Sequence, residues 1–132
     1  DAFKGTIAPK DISVIAGRED TAPHCIFEGF MDFLSLLTIN GKETAPCLVL
    51  NSVSNISRAI AYLQEQDIDS VRAFLDNDPV GRQALLTIQS SGVTVEDMSR
   101  HYARHKDLNE FLVAQREAQK QKIVPRKRGL RR

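Results

Sequence analysis

The sequence predicts an α/β protein in which a mostly parallel sheet of about four strands is flanked by helices. Between residues 24 and 119, short β-rich runs alternate with helical patterns, a rhythm typical of βαβ units. The runs CIF, CLVL and VRAFL are largely apolar without alternation, as expected of parallel strands that are covered on both faces. Their brevity argues against buried helices, which are longer.

Each of these strands is followed by a helix whose ends the sequence marks. HCIFEG precedes FMDFLSLLTIN, and Asn40 with Gly41 ends that first helix. CLVLNS precedes NISRAIAYLQEQ, where Ser54 or Asn55 can serve as the cap. VRAFLD precedes PVGRQALLTIQSSG, and Pro79 suits the first helical turn. The prediction is therefore three consecutive strand-helix units.

Two further elements follow, and one precedes. VTVEDMS predicts a fourth strand, and DLNEFLVAQREAQKQK predicts a last helix with Asp107 as its N-cap. ISVIAG predicts an additional strand, antiparallel at an edge of the sheet. Helical spacing assigns these residues to the faces that cover the sheet: Ile56, Ala59, Ile60, Leu63, Ala84, Leu85 and Ile88. The apolar residues of the first helix are assigned to the core as well: Phe30, Met31, Phe33 and Leu34.

The composition is that of one ordinary globular domain, with 42% hydrophobic and 27% charged residues in 132. The longest apolar stretches hold about six residues, whereas a membrane helix needs roughly 20. No signal peptide is recognisable, so we expect a cytoplasmic protein without membrane contact. Cys25 and Cys47 stand singly in apolar runs and are expected to be buried, reduced thiols. The opening FKGTIAPKD resembles the interior of a longer chain, which predicts an excised fragment.

The sequence predicts three segments: a less regular lead-in over 1–22 with the edge strand, a domain over 23–119, and a basic tail or linker over 120–132. The tail, KQKIVPRKRGLRR, contains no acid and holds seven of the 18 basic residues, so the rest carries 11 basic against 17 acidic residues. Such a tail can bind phosphates. A solvated linker to another domain is the alternative.

Acidic residues follow three of the four predicted strands. Glu28 comes after CIF, Asp76 and Asp78 after VRAFL, and Asp107 lies beyond the fourth strand. Ligands of open α/β sheets bind at the carboxyl ends of the strands, so these carboxylates are expected to converge. Crowded carboxylates repel one another, and a divalent cation relieves the repulsion. Oxygen ligands without a histidine or cysteine cluster favour Mg²⁺, which Mn²⁺ can replace.

A purely structural interpretation exists for part of this pattern. Asp78 precedes Pro79 at the start of a helix, so it can be an N-cap and no more than that. Gly81 and Arg82 begin the same helix, where backbone N–H groups and a guanidinium can meet a phosphate. Lys106 lies beside Asp107 and is a second candidate for phosphate binding.

Two stretches together resemble the signature motifs of the Toprim domain, which primases, topoisomerases and related nucleases share. IFEGFMDFLSL resembles the first motif and FLDNDPVGRQA the second, and the resemblance extends over roughly residues 23–115. EGFMD and KDLNEFL resemble the bacterial-primase branch, and FKGTIAPKD resembles the lead-in of primases from mobile elements and plasmids. The resemblance implies the compact, Rossmann-like Toprim fold.

It also implies residue roles. Glu28 matches the glutamate that acts in acid/base chemistry or metal binding, Asp76 and Asp78 match the metal-holding pair, and Asp107 matches the first acid of a later motif. At Asn109, where such primases usually carry a second acid, the sequence departs from the pattern, so the number of metal ions stays open. Phosphate or nucleic-acid contacts are assigned to these basic residues: Arg82, Lys106, Arg126, Lys127 and Arg128.

The resulting hypothesis is the catalytic core of a DNA primase-like protein, which uses Mg²⁺ or Mn²⁺ for nucleotidyl transfer in primer synthesis. Its partners would be a DNA template, nucleoside triphosphates, and zinc-binding and helicase-type domains or proteins outside this chain. A Toprim nuclease or topoisomerase would use the same site to break phosphodiester bonds. A non-catalytic DNA-binding module is a third interpretation, and a receiver-like signalling domain, with Lys106 as its lysine, is a fourth.

Overall fold

A computed structural model describes residues 11–18, 23–41 and 45–130, with residues 122–130 described by their backbone only. The described residues form one five-stranded sheet in the order β1-β3-β2-β4-β5. The strands are β1 (Ser13–Ile15), β2 (His24–Phe27), β3 (Cys47–Val49), β4 (Ser70–Phe74) and β5 (Thr94–Asp97). Strands β2 to β5 pair in parallel, whereas β1 runs antiparallel to β3 at one edge. The predicted sheet and its extra edge strand are confirmed.

Helices α1 (Phe30–Asn40), α2 (Ile56–Glu65) and α3 (Pro79–Ser90) connect the parallel strands, and α4 (Leu108–Leu130) follows β5. Single 3-10 turns lie at Val53–Asn55 and Ser99–Tyr102. Helix α1 ends where predicted, because Gly41 takes a φ of 79° that favours glycine. Asp78 caps α3 ahead of Pro79.

The sheet has a core on each face. Ile26, Leu48 and Ala73 belong to the core beneath α2 and α3, whereas Phe27 and Phe74 belong to the core beneath α1 and α4. The two cores arise because neighbouring residues of a strand point to opposite faces. The positions predicted for α2 and α3 are confirmed as buried or packed against the first core, and Cys25 and Cys47 are buried.

The core prediction for α1 was partly wrong. Phe33 is buried, but Phe30, Met31 and Leu34 are 47%, 58% and 38% exposed. The helical period places Asp32, Phe33, Ser35 and Leu36 on the inner face instead. Phe30, Met31 and Leu34 therefore point outward.

Aromatic packing holds the ends of the two central strands. The rings of Phe27 and Phe74 stack with centroids 4.9 Å apart, and Phe33 packs edge-on against Phe27 at 5.8 Å. The hydroxyl of Tyr102 donates to the carbonyl of Leu75 at 2.8 Å. These contacts fix the strand ends from which the acidic residues project. Within the described residues, no helix has the length and apolar character required to cross a membrane.

Candidate metal centre

Three carboxylates from different elements come together at the carboxyl end of the sheet. Asp76 follows β4, Asp107 precedes α4, and Asp32 lies in the first turn of α1. One oxygen from each of the three lies within 4.8 Å of the others. Asp76 and Asp107 thus lie close together, as the parallel strand order predicts. Asp32 is the third member of this carboxylate group.

Glu28 adjoins this group. Its Oε1 accepts a hydrogen bond from the backbone N–H of Asp76 at 3.2 Å. Burial raises the pKa of Glu28 to about 7, and the negative charges of Asp76 and Asp78 act in the same direction. A carboxyl with such a pKa can hold or release a proton near neutral pH.

Asp32 is the most buried of the four acids, with 5% of its surface exposed. Its Oδ1 accepts a hydrogen bond from the backbone N–H of Asn109 at 3.2 Å, and the Asn109 side chain accepts one from the Ser35 hydroxyl at 3.1 Å. Burial raises the pKa of Asp32 to about 6, and the charges of Asp107 and Asp76 add to the effect. Asn109 therefore joins α1 to α4 at the position where a second acid was expected.

The four acids line one cavity of about 500 Å³. Burial raises the pKa of Asp76 as well, followed by the charges of Asp107 and Asp78, while Lys106 opposes the rise. Grouped carboxylates whose pKa values are raised by one another are electrostatically strained, and a cation relieves that strain. Because every donor is an oxygen, the residues fit Mg²⁺ or Mn²⁺.

Asp78 has a structural role that the sequence also predicted. Its Oδ1 accepts a hydrogen bond from the backbone N–H of Gly81 at 2.7 Å, as an N-cap does. The cap uses one of the two carboxylate oxygens, so the metal role implied by the Toprim motif stays a prediction. Asp107 is likewise an N-cap, accepting from the N–H of Glu110 at 2.8 Å. The Asp107 side chain thus caps α4 and also belongs to the group of three carboxylates.

Gly81 is required by the close approach of α3 to the site. A Cβ at this position would lie 2.1 Å from the carbonyl oxygen of Asp76 and 2.9 Å from its carbonyl carbon. No side chain fits there without movement of backbone. The glycine of the D-x-D-x-x-G pattern thus lets the first turn of α3 lie directly against the strand end that carries Asp76.

The basic residues lie around the site rather than inside it. Arg82 pairs with Asp97 at 3.0 Å, and its second nitrogen donates to the side-chain oxygen of Asn77. The amide nitrogen of Asn77 lies within 3.0 Å of the carbonyls of Tyr102 and His105. Arg82 and Asn77 therefore brace the connection between β5 and α4, and neither lines the cavity.

Lys106 is exposed, and its backbone carbonyl accepts a hydrogen bond from the N–H of Asn77 at 2.6 Å. Its positive charge opposes the rise that burial causes in the pKa of Asp76. The predicted phosphate contacts of the tail, Arg126, Lys127 and Arg128, fall outside the residues whose side chains the structure describes.

Sequence reasoning missed Asp32 as a member of the site. The available signal was a lone acid inside the apolar helix FMDFLSLLTIN, one turn after Glu28. An acid on the inner face of an apolar helix is expected to have a hydrogen-bond partner or a bound cation, because burying an unpaired carboxylate is costly. That signal identifies Asp32 only when the inner face of α1 is known.

The acidic residues of the cavity lie in a region that matches a known protein family. A family model described as Toprim-like matches residues 25–112. The chain belongs to the Toprim-like family. The matched range contains all four acids of the cavity.

The fold of this chain is similar to that of one solved structure, the primase fragment of the bacteriophage T7 primase-helicase protein. The two chains are 16% identical and superpose with a TM-score of 0.57, over 76% of this chain and 43% of that fragment. This chain therefore corresponds to less than half of the T7 fragment. A search of curated protein sequences found no match.

Proposed function

We propose that this Toprim-like domain is the metal-dependent catalytic module of a DNA primase-like protein, of the bacterial-primase branch found in mobile elements or plasmids. The proposal is supported above all by one observation, the grouping of Asp32, Asp76 and Asp107 with oxygens within 4.8 Å of one another. Its reaction would be nucleotidyl transfer from a nucleoside triphosphate to the 3′-hydroxyl of a primer.

Asp32, Asp76 and Asp107 would hold Mg²⁺ or Mn²⁺, with the second oxygen of Asp78 as a further ligand and Glu28 beside the ion. A divalent cation bound there supplies charge neutralisation for the phosphates of the incoming nucleotide. Without the cation, four carboxylates would repel a triphosphate from the cavity. The volume of about 500 Å³ lies in the range of small-molecule sites.

Glu28 is the residue best suited to accept a proton from the attacking hydroxyl. In the metal-free protein its pKa is raised to about 7, and a cation nearby lowers that value, so the carboxyl would be ionised and able to accept a proton at neutral pH. The hydrogen bond from the N–H of Asp76 fixes the orientation of its carboxyl group. Glu28 would therefore act on the proton while the aspartates position the phosphates.

DNA would be bound by basic residues around the cavity, with phosphates contacted by Lys106 and by Arg82 after release from Asp97. Contacts from Arg126, Lys127 and Arg128 would extend this surface. The proposed partners are zinc-binding and helicase-type domains or proteins outside this chain, in keeping with the T7 protein of similar fold, which is a primase-helicase.

The test is a primer-synthesis assay on the protein that carries this domain, with single-stranded DNA, nucleoside triphosphates and Mg²⁺. Glu28→Gln should reduce synthesis by about 10²- to 10⁴-fold, the contribution typical of a general base. Asp69→Asn, an exposed aspartate before β4, is the control and should leave synthesis unchanged. Cleavage of the DNA in place of synthesis would favour a nuclease. DNA binding that is unaffected by Glu28→Gln, without either reaction, would favour a non-catalytic module.

A further inference from the structure

An apolar patch adjoins the carboxylate cavity. Phe30 and Met31 begin α1, line the cavity beside Glu28, and are 47% and 58% exposed. Leu34, which lies on the same helix face one turn later, is 38% exposed. Single exposed apolar residues are common on protein surfaces, but here three exposed apolar side chains lie within one and a half turns of one helix, and two of them line an acidic cavity.

The core does not account for this patch. Helix α1 already covers the sheet with Phe33 and Leu36, which are 7% and 8% exposed. The ring of Phe30 packs against that of Phe33, with centroids 5.4 Å apart and planes inclined by 51°. Phe30 is thus held in place by a buried neighbour while almost half of its surface remains open to a ligand.

The patch is also confined to the cavity end of α1. The next residue on the face of Phe30 and Leu34 is Thr38, an exposed polar residue whose hydroxyl donates to the carbonyl of Leu34 at 3.0 Å. Ile39 is 42% exposed but lines a different cavity. A partner helix would be expected to contact an apolar stripe along most of α1. The arrangement favours a small ligand that reaches into the carboxylate cavity.

We propose that Phe30 and Met31 form the surface on which the base of a nucleotide stacks while its phosphates lie at the carboxylate group. The inference rests on the proposed function, because metal ions at the carboxylates are what would attract the phosphates. An aromatic face and a polarisable sulfur pack against the flat face of any base. The surface therefore contributes affinity for nucleotides with little selection among bases.

The test compares a ligand that has a base with one that has none. Calorimetry with Mg²⁺ gives the dissociation constants of ATP and of inorganic tripolyphosphate for the wild-type chain, for Phe30→Ala and for Phe30→Trp. We expect Phe30→Ala to weaken ATP binding by about tenfold, in line with base stacking on aromatic side chains. Tripolyphosphate binding should change by less than about twofold, and Phe30→Trp should retain ATP binding because it keeps an aromatic face.

Ile39→Ala is the matched control, since it removes an exposed apolar side chain from the same helix at the end away from the carboxylates. It should leave both ligands unaffected. Equal changes for ATP and tripolyphosphate in Phe30→Ala, or no change for either, would overturn the stacking surface while leaving the proposed function standing; the patch would then be assigned to a protein partner. If neither ligand binds the wild-type chain in Mg²⁺, the proposed function fails and the inference fails with it.

Discussion

The backbone N–H of Asp76 donates a hydrogen bond to Oε1 of Glu28 at 3.2 Å, although 48 positions separate the two residues. Strand pairing explains the contact. β2 and β4 are adjacent and parallel, and their register places Phe27 opposite Phe74, so both strands end at the same level of the sheet. The distance between the glutamate and the aspartate is therefore set by the two central strands and not by a flexible loop.

Removing the Asp76 carboxylate should strongly weaken metal binding. Asp76 contributes to the three-carboxylate group, and its charge acts on both Glu28 and Asp32. We expect Asp76→Asn to reduce Mn²⁺ affinity by about 100-fold or more, because losing a ligand should cost more than losing a residue that only hydrogen-bonds to a ligand. Titration calorimetry measures the change. Asp69→Asn, at the opposite end of β4, should bind Mn²⁺ as the wild type does, and a similar loss in both variants would argue against a localised site.

Acidification should weaken metal binding, because protons and cations compete for the same carboxylates. The pKa values of Glu28 and Asp32 are raised to about 7 and about 6. Below about pH 7, a cation that needs both groups ionised should lose about tenfold in affinity per pH unit, and more below about pH 6. Mn²⁺ titrations between about pH 5.5 and 8 test this. An affinity that is constant over the range would mean that neither carboxyl is a ligand.

Asp32 should make the metal-free protein less stable at neutral pH. Its pKa of about 6 exceeds the ordinary 3.8, so the folded state binds the proton more tightly than the unfolded state does. This contribution to the free energy of unfolding is complete below about pH 4 and is lost as pH rises to about 6 and beyond. Asp32→Asn should therefore gain stability relative to wild type between about pH 4.5 and 7, measured by urea unfolding in chelator. A difference in stability that stays constant across that range would contradict the raised pKa of Asp32.

Gly81→Ala should disturb both stability and the site. The new Cβ would lie 2.1 Å from the carbonyl oxygen of Asp76, so the backbone must shift. We expect a loss of about 2–3 kcal/mol in the free energy of unfolding, as overpacking typically costs. Gly29→Ala is the matched control, since its Cβ would meet Asp32 Oδ2 at an ordinary 3.6 Å, and it should cost less than about 1 kcal/mol. Equal losses would show that α3 has room to move.

The sequence was informative where strand order alone places a residue. Glu28, Asp76 and Asp107 follow strands or precede a helix at one edge of a parallel sheet, so their convergence needs only the topology. Asp32 lies inside a helix, and its contribution depends on which side of α1 faces inward. In a helix as apolar as FMDFLSLLTIN, periodicity does not identify that side, and the same ambiguity misplaced Phe30 and Met31.

Side-chain partners were harder still to predict. Asp78 fits both a helix cap and a metal ligand from local sequence, and the hydrogen bond to Gly81 shows only that the cap is formed. The phosphate contact of Arg82 stays a prediction, and the structure adds a pairing with Asp97, 15 residues away. That pairing depends on the position of β5 beside β4, which no local pattern specifies. Asn109 was recognised as a departure, whereas its link to Asp32 required the packing of α4 on α1.

The central claim is that Asp32, Asp76 and Asp107 hold a divalent cation, and a crystal of the wild-type protein soaked in Mn²⁺ tests it most directly. We predict an anomalous difference peak at about 2.1 Å from carboxylate oxygens of the three aspartates, close to the distance found for Mg²⁺. A second peak nearer Glu28 and Asp78 would show that the site holds two ions despite Asn109. No peak among the three aspartates at millimolar Mn²⁺, or manganese bound only elsewhere, would contradict the account.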